Sequence, residues 1–561
     1  MKRINSALFL ASVASMALAS GAMAQTLPTP GPNDGVNQLN GAGASSVTNV
    51  VNDEISWLKT NRPNFDAEYV ATGSGTGKAA WRSNTPQVPA KPTWNTVQYA
   101  FSDSTISSSD VTTYNTNVKP FAGAGVFLPK FVLPVAFAYN PVYAKNPTSG
   151  VEYRFNVQNP QSLPDAVTGA AKVVGGLRLS RDLYCGIFNG DIKNWNNSAL
   201  TTANGGVSLK DPADPNWGTV DNSSTQGVPI RLVGRLDKSG TTDIFTRALK
   251  AQCDTPLGAA NNKYDVNSEA LPFDYTPGTA PDFTPARSDT PYKPLTSTPA
   301  AGTFAGTINS VGNQYFDKTS LTIVSVSGGT ASQPTSATGN GTGLFLLADG
   351  SSTVSKAIEA DPDIGTSSYR VNGKLGYIGS DFIANAKGAS QKVFAAAVSR
   401  PVLGSPFLLP SASNGTTAVG TVLPPQSDSN GDYLATAAGD RGDPLSWYSV
   451  LYPTPTTGLA NPALGYPITG TTQILLNTCY KANNYPSIVT WLGYNVGTPT
   501  TVFTDDATGL LAKSNIAAVP GSWQRAITQT FLVNAGGTLG ARKLWIEAAS
   551  PSSDHCKVTG N

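Results

Sequence analysis

Short strands alternate with amphipathic helices along this chain, and the joints between them are rich in glycine, serine and threonine. Glu68-Tyr69-Val70 reads as a strand that runs into Thr72-Gly73-Ser74-Gly75-Thr76-Gly77, with a helix expected through Lys78 and Trp81. Ile230-Arg231-Leu232-Val233 runs into Gly234 through Thr242, after which Ile244, Phe245, Ala248 and Leu249 mark a helix ending near Cys253. Upstream, Val47, Val51, Ile55 and Leu58 fall at helical spacing behind Ser45-Ser46, where an N-cap belongs. Val97 to Phe101 alternates like a half-buried strand, and Phe131 to Tyr139 is nearly continuous apolar sequence, as in a strand buried on both faces. Leu177 to Trp195 reads as a helix that turns at Asn189-Gly190. A chain organised in this way forms α/β layers.

The first residues set the compartment. Met1-Lys2-Arg3, an apolar stretch from Ala7 to Leu18 and Ala22-Met23-Ala24 describe a secretory signal, residues 1–24, with cleavage before Gln25. The stretch is too short to span a bilayer, so a periplasmic or secreted product is expected. Losing Lys2 and Arg3 takes the formal charge from +2 to neutral, which leaves no basic excess for nucleic acid or anionic lipid. The four cysteines, Cys185, Cys253, Cys479 and Cys556, match no zinc spacing and in an exported chain favour disulfides, with three pairings open. The single histidine, His555, lies in a polar tail, which removes most histidine-based catalysis and metal binding; neither a metal nor a cofactor is implied. Asn261 to Gly341 is rich in Pro, Thr, Ser and Gly and reads as a long insertion with little core, with one hairpin near Leu321 to Val326. A similar excursion runs from Gly404 to Asp443.

The chemistry lies at the helix starts. Ala44-Ser45-Ser46, Gly73-Ser74-Gly75 and Ser239-Gly240-Thr241-Thr242 each place hydroxyls beside unpaired backbone N–H groups and the positive end of a helix. Any one of them alone is an ordinary N-cap. Converging, they could replace the hydration shell of a tetrahedral oxyanion. Gly73 through Lys78 looks like a nucleotide loop, but Ala79 follows the lysine and the required spacing fails.

Gly41-Ala42-Gly43-Ala44-Ser45, Tyr69 through Gly77, Phe101-Ser102-Asp103 and Arg235 through Thr242 follow the order seen in the phosphate-binding proteins of bacterial ABC phosphate transporters. Leu177 to Ser180, Ile187 to Trp195, Gly373 to Gly379, Gly465 to Ile468 and the helix near Ile488 to Leu492 resemble further segments of that family. The resemblance implies a two-lobed α/β clamp, the type II periplasmic-binding-protein fold, with long loop insertions. Lobe I would comprise residues 25–138 and 375–561, and lobe II residues 139–374 with the insertion at about 261–340. That division favours pairing Cys185 with Cys253 and Cys479 with Cys556, each pair inside one lobe. The resemblance also implies inorganic phosphate as ligand and the membrane permease of an ABC importer as partner. Carried over residue by residue, Ser45, Ser46, Ser74, Asp103, Arg235, Ser239, Gly240 and Thr241 would bind phosphate, with Asp237 orienting Arg235. Asp103 stands out, because a carboxylate beside an anion repels it unless the anion brings a proton to share. Hydrogen phosphate has that proton and sulfate does not.

Two other functions share the fold. A phosphate-ester hydrolase, as reported for some relatives in the DING subgroup, would need an activated nucleophile or metals, and no cluster of His, Asp or Cys supplies either. A surface or adhesive protein would use the insertions for contacts.

Overall fold

The computed structural model describes residues 38–561 apart from 63–64, 89–90, 92–93, 166–167, 189–190, 193, 218–227, 236, 259–313, 317–322, 328–329, 333–344, 385–391, 401–403, 497–509, 533–543 and 554–555. The expected signal segment, His555 and most of the 261–340 insertion lie outside the described residues.

β1 (Leu39–Gly43) lies between β2 (Ala67–Ala71) and β3 (Tyr99–Ser102), parallel to both. β4 (Gly125–Tyr139) is a strand of 15 residues that serves both halves of the sheet. β5 (Arg231–Arg235) lies between β6 (Phe345–Ala348) and β7 (Lys374–Gly379), again parallel to both. Gly125 to Pro134 of β4 pairs antiparallel with β8 (Thr469–Asn477), which in turn pairs antiparallel with β3. Val135 to Tyr139 of β4 pairs antiparallel with β7 instead. The sheet therefore reads β6-β5-β7-β4-β8-β3-β1-β2, and Gln314–Phe316, Ile323–Ser327 and Thr330–Ser332 extend it beyond β6. One long strand thus carries a parallel layer on each of its halves, the two-lobed α/β clamp that the resemblance implied.

Each of four parallel strands feeds a helix. β1 leads through a 3₁₀ turn at Ser45–Val47 into α1 (Thr48–Asn61), and β2 leads into α2 (Ser74–Ser83). β5 leads into α3 (Gly240–Gln252) and β6 into α4 (Gly350–Glu359). Helix starts therefore gather at the carboxyl ends of the strands, where open α/β sheets bind ligands. The first of these joints needs its glycine. Gly43 sits at φ +143°, and a Cβ there would stand 2.0 Å from the Phe101 carbonyl oxygen.

The core surrounds β4, whose Phe131, Leu133, Val135 and Phe137 are buried, in keeping with the apolar run. Lys130 interrupts that run. It is buried 3.4 Å from Glu54 of α1, and the Trp491 indole N–H donates to the same carboxylate at 2.6 Å. Burial of this kind is tolerated because the charge is paired. Two disulfides join Cys185 to Cys253 and Cys479 to Cys556, the pairs that the lobe division favoured. The first ties the helix Arg181–Phe188 to the end of α3.

Several local expectations change. The strand near Val97 to Phe101 is Tyr99–Ser102 and is buried on both faces, because Trp81 of α2 packs with Ala100 on one face and Trp491 packs against Tyr99 and Phe101 on the other. The helix expected from Leu177 to Trp195 is confined to Arg181–Phe188, behind a short strand at Arg178–Leu179. Ile323–Ser327 pairs antiparallel with Gln314–Phe316 and with Thr330–Ser332, close to the expected hairpin. The Gly404 to Asp443 excursion has more structure than its composition indicates. Its helix Ala412–Val419 packs Gly415 against Val132 and Pro134 of β4. Buried Arg441 donates to Ser427, Gly431 and Pro425, which gives the loop a polar centre in place of an apolar one.

Candidate functional site

The serines at the first two helix starts do not cap their helices. Neither the Ser45–Val47 turn nor α2 has a side-chain cap, and the hydroxyls bond instead to Arg235 and Asp103. Ser45 Oγ accepts from Arg235 Nη2 at 2.8 Å, and Ser46 Oγ donates to Asp103 Oδ2 at 2.6 Å. Ser74 Oγ accepts from the backbone N–H of Asp103 at 3.0 Å. Ser239 does cap α3, accepting from Thr242 N–H at 3.3 Å.

Arg235 ends β5 and is fully buried. Its Nε and Nη2 donate to the two oxygens of Asp237 at 2.7 and 2.5 Å, the paired geometry in which guanidinium and carboxylate bind most strongly. Burial alone would lower the Arg235 pKa, but the Asp237 carboxylate outweighs it and holds the guanidinium above its usual value. Asp237 Oδ1 also accepts from Gly350 N–H at the start of α4, at 2.9 Å. The positive end of that helix thus shares the Asp237 charge and leaves more of Arg235 for another anion.

Asp103 follows β3 and is 1% exposed. Its Oδ2 accepts from Ser46 and, at 2.9 Å, from Thr241 Oγ1 of α3; its Oδ1 accepts from Thr472 Oγ1 of β8 at 2.7 Å. Burial pushes its carboxyl above the ordinary range, and the bonds from Ser46, Thr472 and Thr241 and the charge of Arg235 pull it partway back. Thr241 Oγ1 also accepts from Arg235 Nη1, at 3.4 Å, and so links the cation to the carboxylate. Gly240 presses α3 against the Asp103 segment. A Cβ on it would stand 2.6 Å from Ser104 N and from Ser74 Oγ.

All eight residues that the resemblance carried over, with Asp237, thus lie in or beside one buried cluster. Reading the sequence missed four more. Ser351 Oγ accepts from Arg235 Nη1 at 3.1 Å, and its N–H donates to Ser45 Oγ at 3.1 Å. Gly350 holds Asp237, and Thr472 holds Asp103. Tyr377 of β7 accepts from Arg235 N–H at 3.3 Å and shares a 2.8 Å hydrogen bond with Thr242. Gly350 and Ser351 had a visible signal: an apolar run, Phe345 to Leu347, then Asp349-Gly350-Ser351-Ser352, then Val354, Ala357 and Ile358 at helical spacing. Thr472 had none.

A cation braced by Asp237, a second carboxylate at Asp103 and a ring of hydroxyls on four helix starts can do one thing well. They can surround a small tetrahedral anion with donors and offer it one acceptor for a proton.

The chain is 26% identical over 472 residues to alkaline phosphatase L of Pseudomonas aeruginosa, covering 84% of this chain and 83% of that protein. It is 25% identical over 472 residues to a phosphate-binding protein from an unknown prokaryotic organism, covering 83% and 88%. Among solved structures, the ancestral soluble variant of the human phosphate binding protein shares the fold, with a TM-score of 0.54, 22% identity, and coverage of 94% of this chain and 99% of that one. The model of the PBP superfamily domain matches residues 28–464, a span that contains every helix start of the site, and the chain belongs to the PBP superfamily.

Proposed function

We propose that this protein binds inorganic phosphate between its two lobes, in the periplasm or outside the cell, and delivers it to the membrane permease of an ABC importer. The observation that carries this reading is that Arg235 and Asp103 share one hydroxyl-lined cluster, linked through the Thr241 hydroxyl. Arg235 attracts the anion, and Asp103 tolerates only an anion that brings a proton. Ser45, Ser46, Ser74 and Asp103 come from the lobe built on β1, β2 and β3. Arg235, Ser239, Gly240, Thr241 and Ser351 come from the lobe built on β5 and β6. Closure would therefore assemble the site, a hinge-type shift driven by contacts present only when closed. We place the lobe boundary near Ala138. The return crossing is placed near Leu375, since β7 is the strand that takes over from β8 as the partner of β4 there. No helix among the described residues is long and apolar enough to cross a membrane, which accords with a freely diffusing carrier.

Calorimetry with phosphate, sulfate and arsenate on the mature protein tests the reading, and Asp103→Asn tests its mechanism. The asparagine keeps the shape but supplies an amide N–H₂ that can donate to an unprotonated oxygen. Sulfate binding is expected to become measurable in the variant, while phosphate binding weakens less than in Arg235→Ala. Measurements near neutral pH at fixed ionic strength keep screening from imitating selectivity. Equal binding of sulfate and phosphate by the wild type, or undiminished discrimination in Asp103→Asn, would return Asp103 to the role of a turn residue.

The relative named alkaline phosphatase L motivates a second reading, hydrolysis of a phosphate ester at the same site. Among the described residues no group of three or more His, Cys, Asp or Glu side chains is arranged to hold a metal ion, and Ser46 Oγ reaches the Asp103 carboxylate with no histidine between them. A phosphatase assay with and without chelator separates the two.

A further inference from the structure

We propose that Thr472 is a positioning residue for anion selectivity: its hydroxyl fixes the Asp103 carboxylate so that Oδ1 is held by the fold and Oδ2 alone faces the anion. This inference rests on the phosphate reading above.

The geometry begins with strand register. Gln473 of β8 stands opposite Ser102 of β3, and continuing that antiparallel pairing by one residue places Thr472 opposite Asp103. Between Thr472 and Gln473 the pairing of β8 with β4 shifts by one residue and skips Lys130. Such irregularities re-aim side chains. Thr472 is completely buried in a strand that turns apolar from Ile474 onward. A buried hydroxyl is tolerated only where it has a partner, and this one donates to Asp103 Oδ1 at 2.7 Å. The other bonds to the carboxylate, from Ser46 and Thr241, both end on Oδ2. The two oxygens therefore have separate duties. Oδ2 sits among the groups that would surround the ligand, while Oδ1 is tied to the sheet.

The consequence is selectivity. A carboxylate pinned through Oδ1 stays ionised and oriented, and can only accept. Freed at Oδ1, it can rotate or take a proton, and a protonated Asp103 can donate to sulfate. Burial already pushes this carboxyl upward, and Thr472 is one of the groups that oppose the shift. The titratable groups facing it are Arg235 on β5, Tyr69 on β2 and Tyr452 beyond the Ser446–Ser449 helix. Both tyrosines are held above their ordinary range by burial, so neither titrates between weakly acidic and weakly alkaline pH.

Thr472→Val keeps the shape and removes the donor, and Thr472→Ser keeps the donor. Phosphate and sulfate affinities are measured by calorimetry from about pH 8 to about pH 5 for both variants and the wild type, with a thermal melt of each. The preference for phosphate over sulfate is expected to fall about tenfold in Thr472→Val, the scale of one hydrogen bond to a charged group. The fall should grow as pH drops, and Thr472→Ser should restore most of the preference. Because the preference is a ratio of two affinities on one sample, a reduced folded fraction does not alter it. An unchanged preference in Thr472→Val at every pH, or an equal loss in both variants, overturns the proposal. A wild type that binds both anions equally removes the Asp103 filter and Thr472 with it, whereas a wild type that binds neither overturns the phosphate reading itself.

Discussion

Arg235→Ala is expected to weaken phosphate binding by roughly 2–5 kcal/mol, the range for truncating one partner of a buried, hydrogen-bonded charge pair. The guanidinium is the cation at the centre of the site, and its five donors already reach Asp237, Ser45, Ser351 and Thr241. Removing it does two things. The incoming anion loses its charge partner, and Asp237 keeps only the Gly350 N–H among its described partners while remaining buried. The second effect also destabilises the ligand-free protein, since an uncompensated buried charge is costly. Arg235→Ala combined with Asp237→Asn separates them. The double variant should regain thermal stability without regaining phosphate binding. Arg235→Lys should fall between, because an ammonium keeps the charge but cannot grip Asp237 with two parallel bonds and reach Ser45 as well. Calorimetry and thermal melts on the four proteins check this. Wild-type phosphate affinity in Arg235→Ala would refute the site.

Gly240→Ala is the second large effect, and it tests closure. The added Cβ would stand 2.6 Å from Ser104 N and 2.8 Å from the Asp103 carbonyl carbon, backbone that cannot swing aside like a flexible side chain. These atoms follow β3, whereas Gly240 follows β5, so the clash arises only where the two lobes meet. Phosphate binding is expected to weaken by roughly 1–3 kcal/mol, the usual cost of forcing extra carbon into close-packed contact. If the lobes part without phosphate, as the proposed hinge requires, the same methyl group loses these neighbours. Alanine at a helix start also restricts the unfolded chain more than glycine does. The melting temperature without phosphate should therefore stay near wild type, and the upward shift on adding phosphate should shrink. A variant that binds phosphate as tightly as wild type would show that α3 does not close against Asp103 in the bound state.

What was legible in the sequence was local. Apolar periodicity placed α1 and α3, and the Gly-Ser-Thr joints before α2 and α3 marked where backbone N–H groups are free, because both signals act within a few residues of chain. The pairing of Arg235 with Asp237, two residues apart at the end of one strand, came from the family resemblance. The same logic would have reached Gly350 and Ser351, had Phe345 to Leu347 been separated from the glycine-rich stretch before it. Tertiary structure decided the rest. Ser45 and Ser46 look like N-caps from sequence, yet their hydroxyls face Arg235, 190 residues away, and Asp103, 57 residues away. Thr472 meets Asp103 across 369 residues of chain, through a strand pairing that neither segment announces. A hydroxyl can satisfy its own backbone or a distant charge, and the charged partner gives the stronger bond. The choice falls to whichever partner packing leaves buried and otherwise unpaired, and only the assembled sheet determines that.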